Sequence, residues 1–94
     1  MPFTLYQIFR TPTQVKIIEE LLKRPDEYFT LSRMSKIVQA SPSAVSTKLM
    51  ELKKLNIIHF MKSSEKAKIF RLNKENRVVR LLLEFYKELN KINS

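Results

Sequence analysis

The chain has no cysteine, no glycine and a single histidine. Without cysteine there is no disulfide framework and no thiolate metal site, and the composition is compatible with a reducing compartment. Without glycine there is no glycine-rich phosphate loop, which excludes the nucleotide-binding enzymes built on one. No other metal-ligand type clusters with His59, so an ordinary strand side chain and no bound metal are expected there. No apolar run approaches the roughly 20 residues of a membrane-spanning helix. The opening stretch MPFTLYQIFR lacks a basic leader and a cleavage site, so no signal peptide is expected and a cytoplasmic location is. The carboxylates are few. Glu19-Glu20 and Asp26-Glu27 are adjacent pairs that read as solvated surface, and no nucleophile is paired with a base. Neither an enzyme nor a cofactor is expected.

What is present is positive charge in one place. The net charge is +9 over 94 residues. Residues 33–80 hold twelve basic residues and three acidic ones, which accounts for the whole excess, since the remaining residues carry six of each sign. A localised basic surface is what a protein that neutralises phosphates requires. The length predicts one domain, 1–94, burying about 60–65% of its unfolded surface and gaining from a partner subunit.

The pattern organises around residues 30–55, TLSRMSKIVQASPSAVSTKLMELKKL. Thr30 caps a helix whose inner stripe is Leu31, Met34, Ile37 and Val38, with Arg33 and Lys36 pointing outward. Ser41-Pro42 starts the next helix, a cap followed by proline at the first position. Its inner stripe is Val45, Leu49, Leu52 and Leu55. Its opposite face offers Ser43, Ser46, Thr47 and Met50, with Lys48, Lys53 and Lys54 at the flanks. This is the layout of a helix-turn-helix, whose second helix enters the DNA major groove. Short hydroxyl side chains permit close approach to base edges and phosphates. For Ser41 the capping role is the simpler account; for Ser46 and Thr47, beyond the first turn, DNA contact is expected.

Upstream, residues 2–9 have no clean period, but Phe3 and Leu5 are too apolar for a free tail. They are expected to pack on the C-terminal helix of the same or a partner subunit. Thr11-Pro12-Thr13-Gln14 reads as a capped helix start, with Val15, Ile18 and Leu22 as the buried stripe and Leu21 beside it. Pro25 ends that helix by Arg24, and Tyr28-Phe29 reads as a short extended piece able to pair with a later hairpin. Downstream, Asn56 stands where a helix C-terminus wants positive φ. Residues 57–61 and 67–72 are strand-like runs around the polar turn 62–66. This hairpin is a wing with Lys62, Lys66 and Lys68 near its tip, placed to hold phosphates. A final helix runs over 76–92. Val78, Leu82, Phe85, Leu89 and Ile92 are spaced as a heptad seam, and Val79, Leu83 and Tyr86 form a second apolar row. Two rows exceed what a small core consumes, so one is expected to pack on the domain and the other on a partner. The expected interface comprises Phe3, Leu5, Val78, Leu82, Phe85, Tyr86, Leu89 and Ile92.

The order helix, helix, helix, hairpin, helix resembles the winged helix-turn-helix transcriptional regulators of the ArsR- and MarR-like group. The resemblance covers roughly residues 11–90 and is carried by SPSAVSTKLMELKKLNII and FRLNKENRVVRLLLEF. It implies that Ser43, Ala44, Ser46, Thr47 and Lys48 face DNA and that basic wing residues contact the backbone. Thr47 stands where the group often has Arg, Ala44 replaces a hydroxyl residue, and Asn56 replaces the usual Gly. The Cys or His clusters of the metal-sensing branches are absent. The expected fold is therefore α+β, mainly α: a winged helix-turn-helix with a three-helix core and β-hairpin wing over 10–74, and a C-terminal dimerisation helix over 76–92. The expected function is sequence-specific binding of double-stranded DNA by a homodimer acting as a transcriptional regulator. The alternatives are a DNA-coating, segregation or chromatin-type protein that spreads on DNA, and a winged helix that binds protein. The expected DNA contacts are Arg33, Lys36, Ser41, Ser43, Ala44, Ser46, Thr47, Lys48, Lys53, Lys54, Lys62, Lys66 and Lys68.

Overall fold

The structure, a computed structural model, describes residues 12–62 and 68–93. Its elements follow in the order α1 (Pro12–Lys23), β1 (Phe29–Thr30), α2 (Leu31–Val38), α3 (Pro42–Lys54), β2 (Ile58–Lys62), β3 (Lys68–Leu72) and α4 (Arg77–Asn93). The expectations for Phe3, Leu5, Thr11 and Lys66 lie outside the described residues. No helix among the described residues is long and apolar enough to cross a membrane.

Helix α1 starts at Pro12, where a missing N–H is harmless, and stops before Pro25. It buries Val15, Ile17, Leu21 and Leu22. Ile17, not the expected Ile18, is the deeper residue, and Ile18 packs at the edge of the core. The run Val15-Lys16-Ile17-Ile18 offers two adjacent apolar positions, and the neighbouring elements decide which faces in.

The short strand β1 pairs antiparallel with β3, Phe29 opposite Phe70 and Thr30 opposite Ile69. Strand β2 pairs with the other edge of β3, giving the sheet order β1-β3-β2. The β2–β3 register runs from Ile58 opposite Leu72 to Lys62 opposite Lys68. Alternation puts Ile58, Phe70 and Leu72 in the core while His59 and Met61 are exposed. The Phe29 and Phe70 rings stack with centroids 6.1 Å apart, and Phe60 lies 5.9 Å from Phe70, so one aromatic group joins all three strands.

Two turns use left-handed backbone without glycine. Gln39, at φ 56°, ends α2, and the Ala40 amide donates to the Ser35 carbonyl at 3.1 Å. A residue with a Cβ in this conformation costs about 1–2 kcal/mol, which is why the glycine-free sequence gives no sign of the turn. Asn56, at φ 60°, ends α3 as expected. Its amide donates to the Lys53 carbonyl and the Ile57 amide to the Leu52 carbonyl, both at 3.0 Å. This bond pair is a Schellman closure, completed by Leu52 and Ile57, both buried.

Helix α4 divides its apolar residues between two surfaces. Val79, Tyr86 and Leu89 are buried, and Leu82 and Leu83 pack at the core edge. Burial raises the Tyr86 phenol above its ordinary 10.0. Val78, Leu81, Phe85 and Ile92 are exposed.

Candidate nucleic-acid interface

Helix α3 is held from behind. Val45, Leu49 and Leu52 are buried, fixing which residues face outward. Leu55 does not continue this stripe. It is 60% exposed, because the chain turns at the helix end and Ile57 takes the buried place. Helix α2 is joined to α3 by the three-residue turn Gln39–Ser41, and both helices carry side-chain caps. Thr30 Oγ1 accepts from the Arg33 amide at 3.1 Å, and Ser41 Oγ accepts from the Ala44 amide at 3.2 Å. Ser41 is thus a cap, as its position in the sequence suggests.

The outward face of α3 carries Ser43, Ala44, Ser46, Thr47 and Met50, all exposed. Its hydroxyls are not equivalent. Thr47 Oγ1 donates to the Ser43 carbonyl at 3.0 Å, and Ser43 Oγ lies 3.4 Å from Ser41 Oγ. The Ser46 hydroxyl makes no hydrogen bond among the described residues.

The basic residues also separate. Arg33 is engaged within the monomer: Nη1 donates to the Tyr28 carbonyl at 3.1 Å, Nη2 sits 3.3 Å from Glu27, and the guanidinium lies 4.6 Å from the Phe29 ring centre. Lys48 stands 3.8 Å from Glu51. Lys53 Nζ lies 5.4 Å from the Phe60 ring centre, joining α3 to the wing. Lys36 and Lys54 are exposed. Exposed pairs of this kind hold their side chains weakly, so the lysines can exchange partner for phosphate at small cost. The backbone register places Lys62 and Lys68 opposite each other at the last pair before 63–67. Among the described residues no three His, Cys, Asp or Glu gather into a metal-binding group.

On α4 the expected interface residues fall on two surfaces. Val78, Phe85 and Ile92 stand outward, whereas Tyr86 (9% exposed) and Leu89 are buried in the monomer and Leu82 packs at the core edge. Leu81, 61% exposed, joins the outward row and was absent from the expected set. The triplet Leu81-Leu82-Leu83 fits two helical stripes equally well. The row Val78, Leu81, Phe85, at spacings of 3 and 4, was the signal available for the second.

No protein-family model matches the chain, and no curated protein matches it by sequence. Solved structures do match in shape. Reduced HlyU from Vibrio cholerae superposes with a TM-score of 0.67 at 19% identity, over 90% of this chain and 83% of that one. MepR, a transcription regulator of the Staphylococcus aureus multidrug efflux pump MepA, gives 0.70 at 19% identity. That match covers 95% of this chain and 64% of MepR, so MepR extends well beyond the matched part. MepR in complex with DNA gives 0.67 at 17% identity, over 94% of this chain and 74% of that one. The fold is the winged helix, with α2 and α3 as the helix-turn-helix, β2–β3 as the wing and α4 as the C-terminal helix.

Proposed function

We propose that the protein binds double-stranded DNA site-specifically as a homodimer and regulates transcription. One observation carries this reading. The face of α3 opposite Val45, Leu49 and Leu52 is exposed and, Met50 apart, built of small side chains, within the stretch 33–80 that holds the entire +9 excess of charge. A helix serving only the core needs no such face. The structural likeness to MepR bound to DNA supports it. In this reading α3 enters the major groove, with Ser43, Ser46 and Thr47 toward bases or nearby phosphates. Lys36, Lys48, Lys54 and the wing residues Lys62, Lys66 and Lys68 hold the backbone. Two-fold symmetry through α4 sets two recognition helices about 34–36 Å apart on a pseudo-palindrome.

The test is selection from random duplexes with excess competitor, then footprinting of the enriched sequence across a protein titration. An enriched pseudo-palindrome with a footprint of fixed length is expected. A footprint that grows with concentration indicates spreading on DNA instead, and no binding to any duplex at moderate salt indicates a protein-binding module. With about six phosphates neutralised per dimer, log K falls against log salt with a slope near −5. A slope near zero contradicts the proposal.

A further inference from the structure

Residues 42–54 contain no Arg, Asn or Gln. Those side chains make the two-bond contacts that single out guanine and adenine in the major groove. The lysines do not replace them. Lys48 stands at the flank of the outward face, where the reading above gives it to phosphate, and Lys53 lies over the Phe60 ring. Lys54 stands in the last turn, whereas a groove-docked helix reads bases from its N-terminal part.

What the outward face has instead is apolar. Met50 is 43% exposed, three residues after Thr47 on the same side of α3. The Thr47 hydroxyl is turned back onto the Ser43 carbonyl, so the γ-methyl is the part of this exposed side chain left to face outward. Ala44, three residues earlier, adds another methyl group. The apolar feature that the major groove itself presents is the 5-methyl group of thymine. Methionine is flexible and polarisable, and adapts to a small methyl target.

Building on the DNA-binding reading above, we infer that Thr47 and Met50 form an apolar strip that seats thymine methyl groups. The half-site is then recognised by where its thymine methyls lie rather than by two-bond contacts to purines. Ser43 and Ser46, which hydrogen-bond to any base edge, contribute little discrimination of their own.

Deoxyuridine tests this directly, because it removes the methyl group and leaves the pairing edge and the minor groove unchanged. The duplex enriched by the selection is resynthesised with one thymidine at a time replaced by deoxyuridine. Each contacted methyl should weaken binding about fourfold, as for one buried methyl group. Replacements outside the half-sites should have no effect. In Met50→Ala, and separately in Thr47→Ser, sensitivity at one thymine position should disappear. Both positions are exposed, Thr47→Ser keeps the hydroxyl, and circular dichroism verifies the fold. Indifference to deoxyuridine throughout the half-sites overturns the inference while leaving DNA binding intact. Sensitivity that survives in both variants also overturns it, since another residue then holds the methyl. Failure to enrich any duplex removes the DNA-binding reading, and this inference with it.

Discussion

Helices α3 and α4 bury the same kind of stripe and leave opposite kinds of surface. Behind α3 lie Val45, Leu49 and Leu52; behind α4 lie Val79, Tyr86 and Leu89. In front, α3 shows Ser43, Ala44, Ser46 and Thr47 with one large apolar residue, Met50, whereas α4 shows a row of large apolar residues, Val78, Leu81, Phe85 and Ile92. Small side chains leave a narrow helix that fits a groove, and exposing them to water costs little. A row of Val, Leu, Phe and Ile is costly in water, at about 25 cal/mol per Å² of apolar surface, and marks a contact surface. The buried stripe places each helix in the fold. The outward face sets what it meets, and in the proposed function these two faces take different partners: DNA for α3, a second copy of the chain for α4.

The largest expected effect breaks the comparison at α4. Leu81→Glu combined with Phe85→Glu should yield a folded monomer, because both residues stand outside the core. Each Leu buried in a dimer contributes about 1.5–3 kcal/mol, so two symmetric copies of Leu81 alone represent about 3–6 kcal/mol. Sedimentation alongside circular dichroism reads mass and fold together. Leu89→Glu should unfold the protein instead, since Leu89 lies in the monomer core. A double variant that remains a stable dimer would place the interface elsewhere and leave the outward row of α4 unexplained.

A smaller effect separates the two faces of α3. Leu52→Ala removes a fully buried side chain and should destabilise the fold by about 2–5 kcal/mol. Ser46→Ala, on the exposed face, should change stability by no more than about 0.5 kcal/mol, and its effect should fall on DNA affinity. Urea unfolding measures the first quantity and DNA titration the second. Equal losses of stability would mean that the outward face of α3 is covered within the folded protein.

Sequence periodicity made most of this architecture legible. Thr30 and Ser41 are side-chain caps, Pro12 opens α1, Asn56 takes positive φ, and Phe29 pairs with the hairpin, all from local chemistry that sequence carries directly. The misses on α1 and α4 have one physical origin, which is that local pattern does not choose among neighbouring apolar residues. Ile17 and Ile18 are both apolar, and packing against the rest of the core selects Ile17. Leu81, Leu82 and Leu83 support two seams, and contact with the core assigns Leu82 and Leu83 inward. Leu55 follows the α3 stripe in spacing yet lies past the point where the helix turns away. At the candidate interface the sequence supplied which residues are present, but not that Arg33 is held by Glu27 and the Tyr28 carbonyl. That pairing depends on the fold bringing the segment before β1 against α2.

The residues flanking the two helices are also joined, and the junction predicts the smallest effect. Asn76 caps α4 by accepting from the Val78 amide at 2.8 Å. Its amide nitrogen donates to the Leu55 and Asn56 carbonyls, at 3.2 and 2.9 Å, just past the end of α3. Buried Asn73 donates to the same Asn56 carbonyl at 2.8 Å. One side chain therefore starts α4 and ties it to the end of α3. Asn76→Ala removes both functions and should destabilise the protein by about 1–2 kcal/mol. Asn76→Asp keeps the acceptor for the Val78 amide, adds a charge favourable at a helix N-terminus, and lacks the donor for the two carbonyls. Its stability should lie between those of Asn76→Ala and the unaltered protein, with faster amide exchange near Asn56 and Ile57 than in the unaltered protein. If Asn76→Asp matches the unaltered protein in both stability and exchange, the tie contributes nothing. The end of α3 is then fixed by its own Schellman closure, and each helix is positioned only by the core behind it.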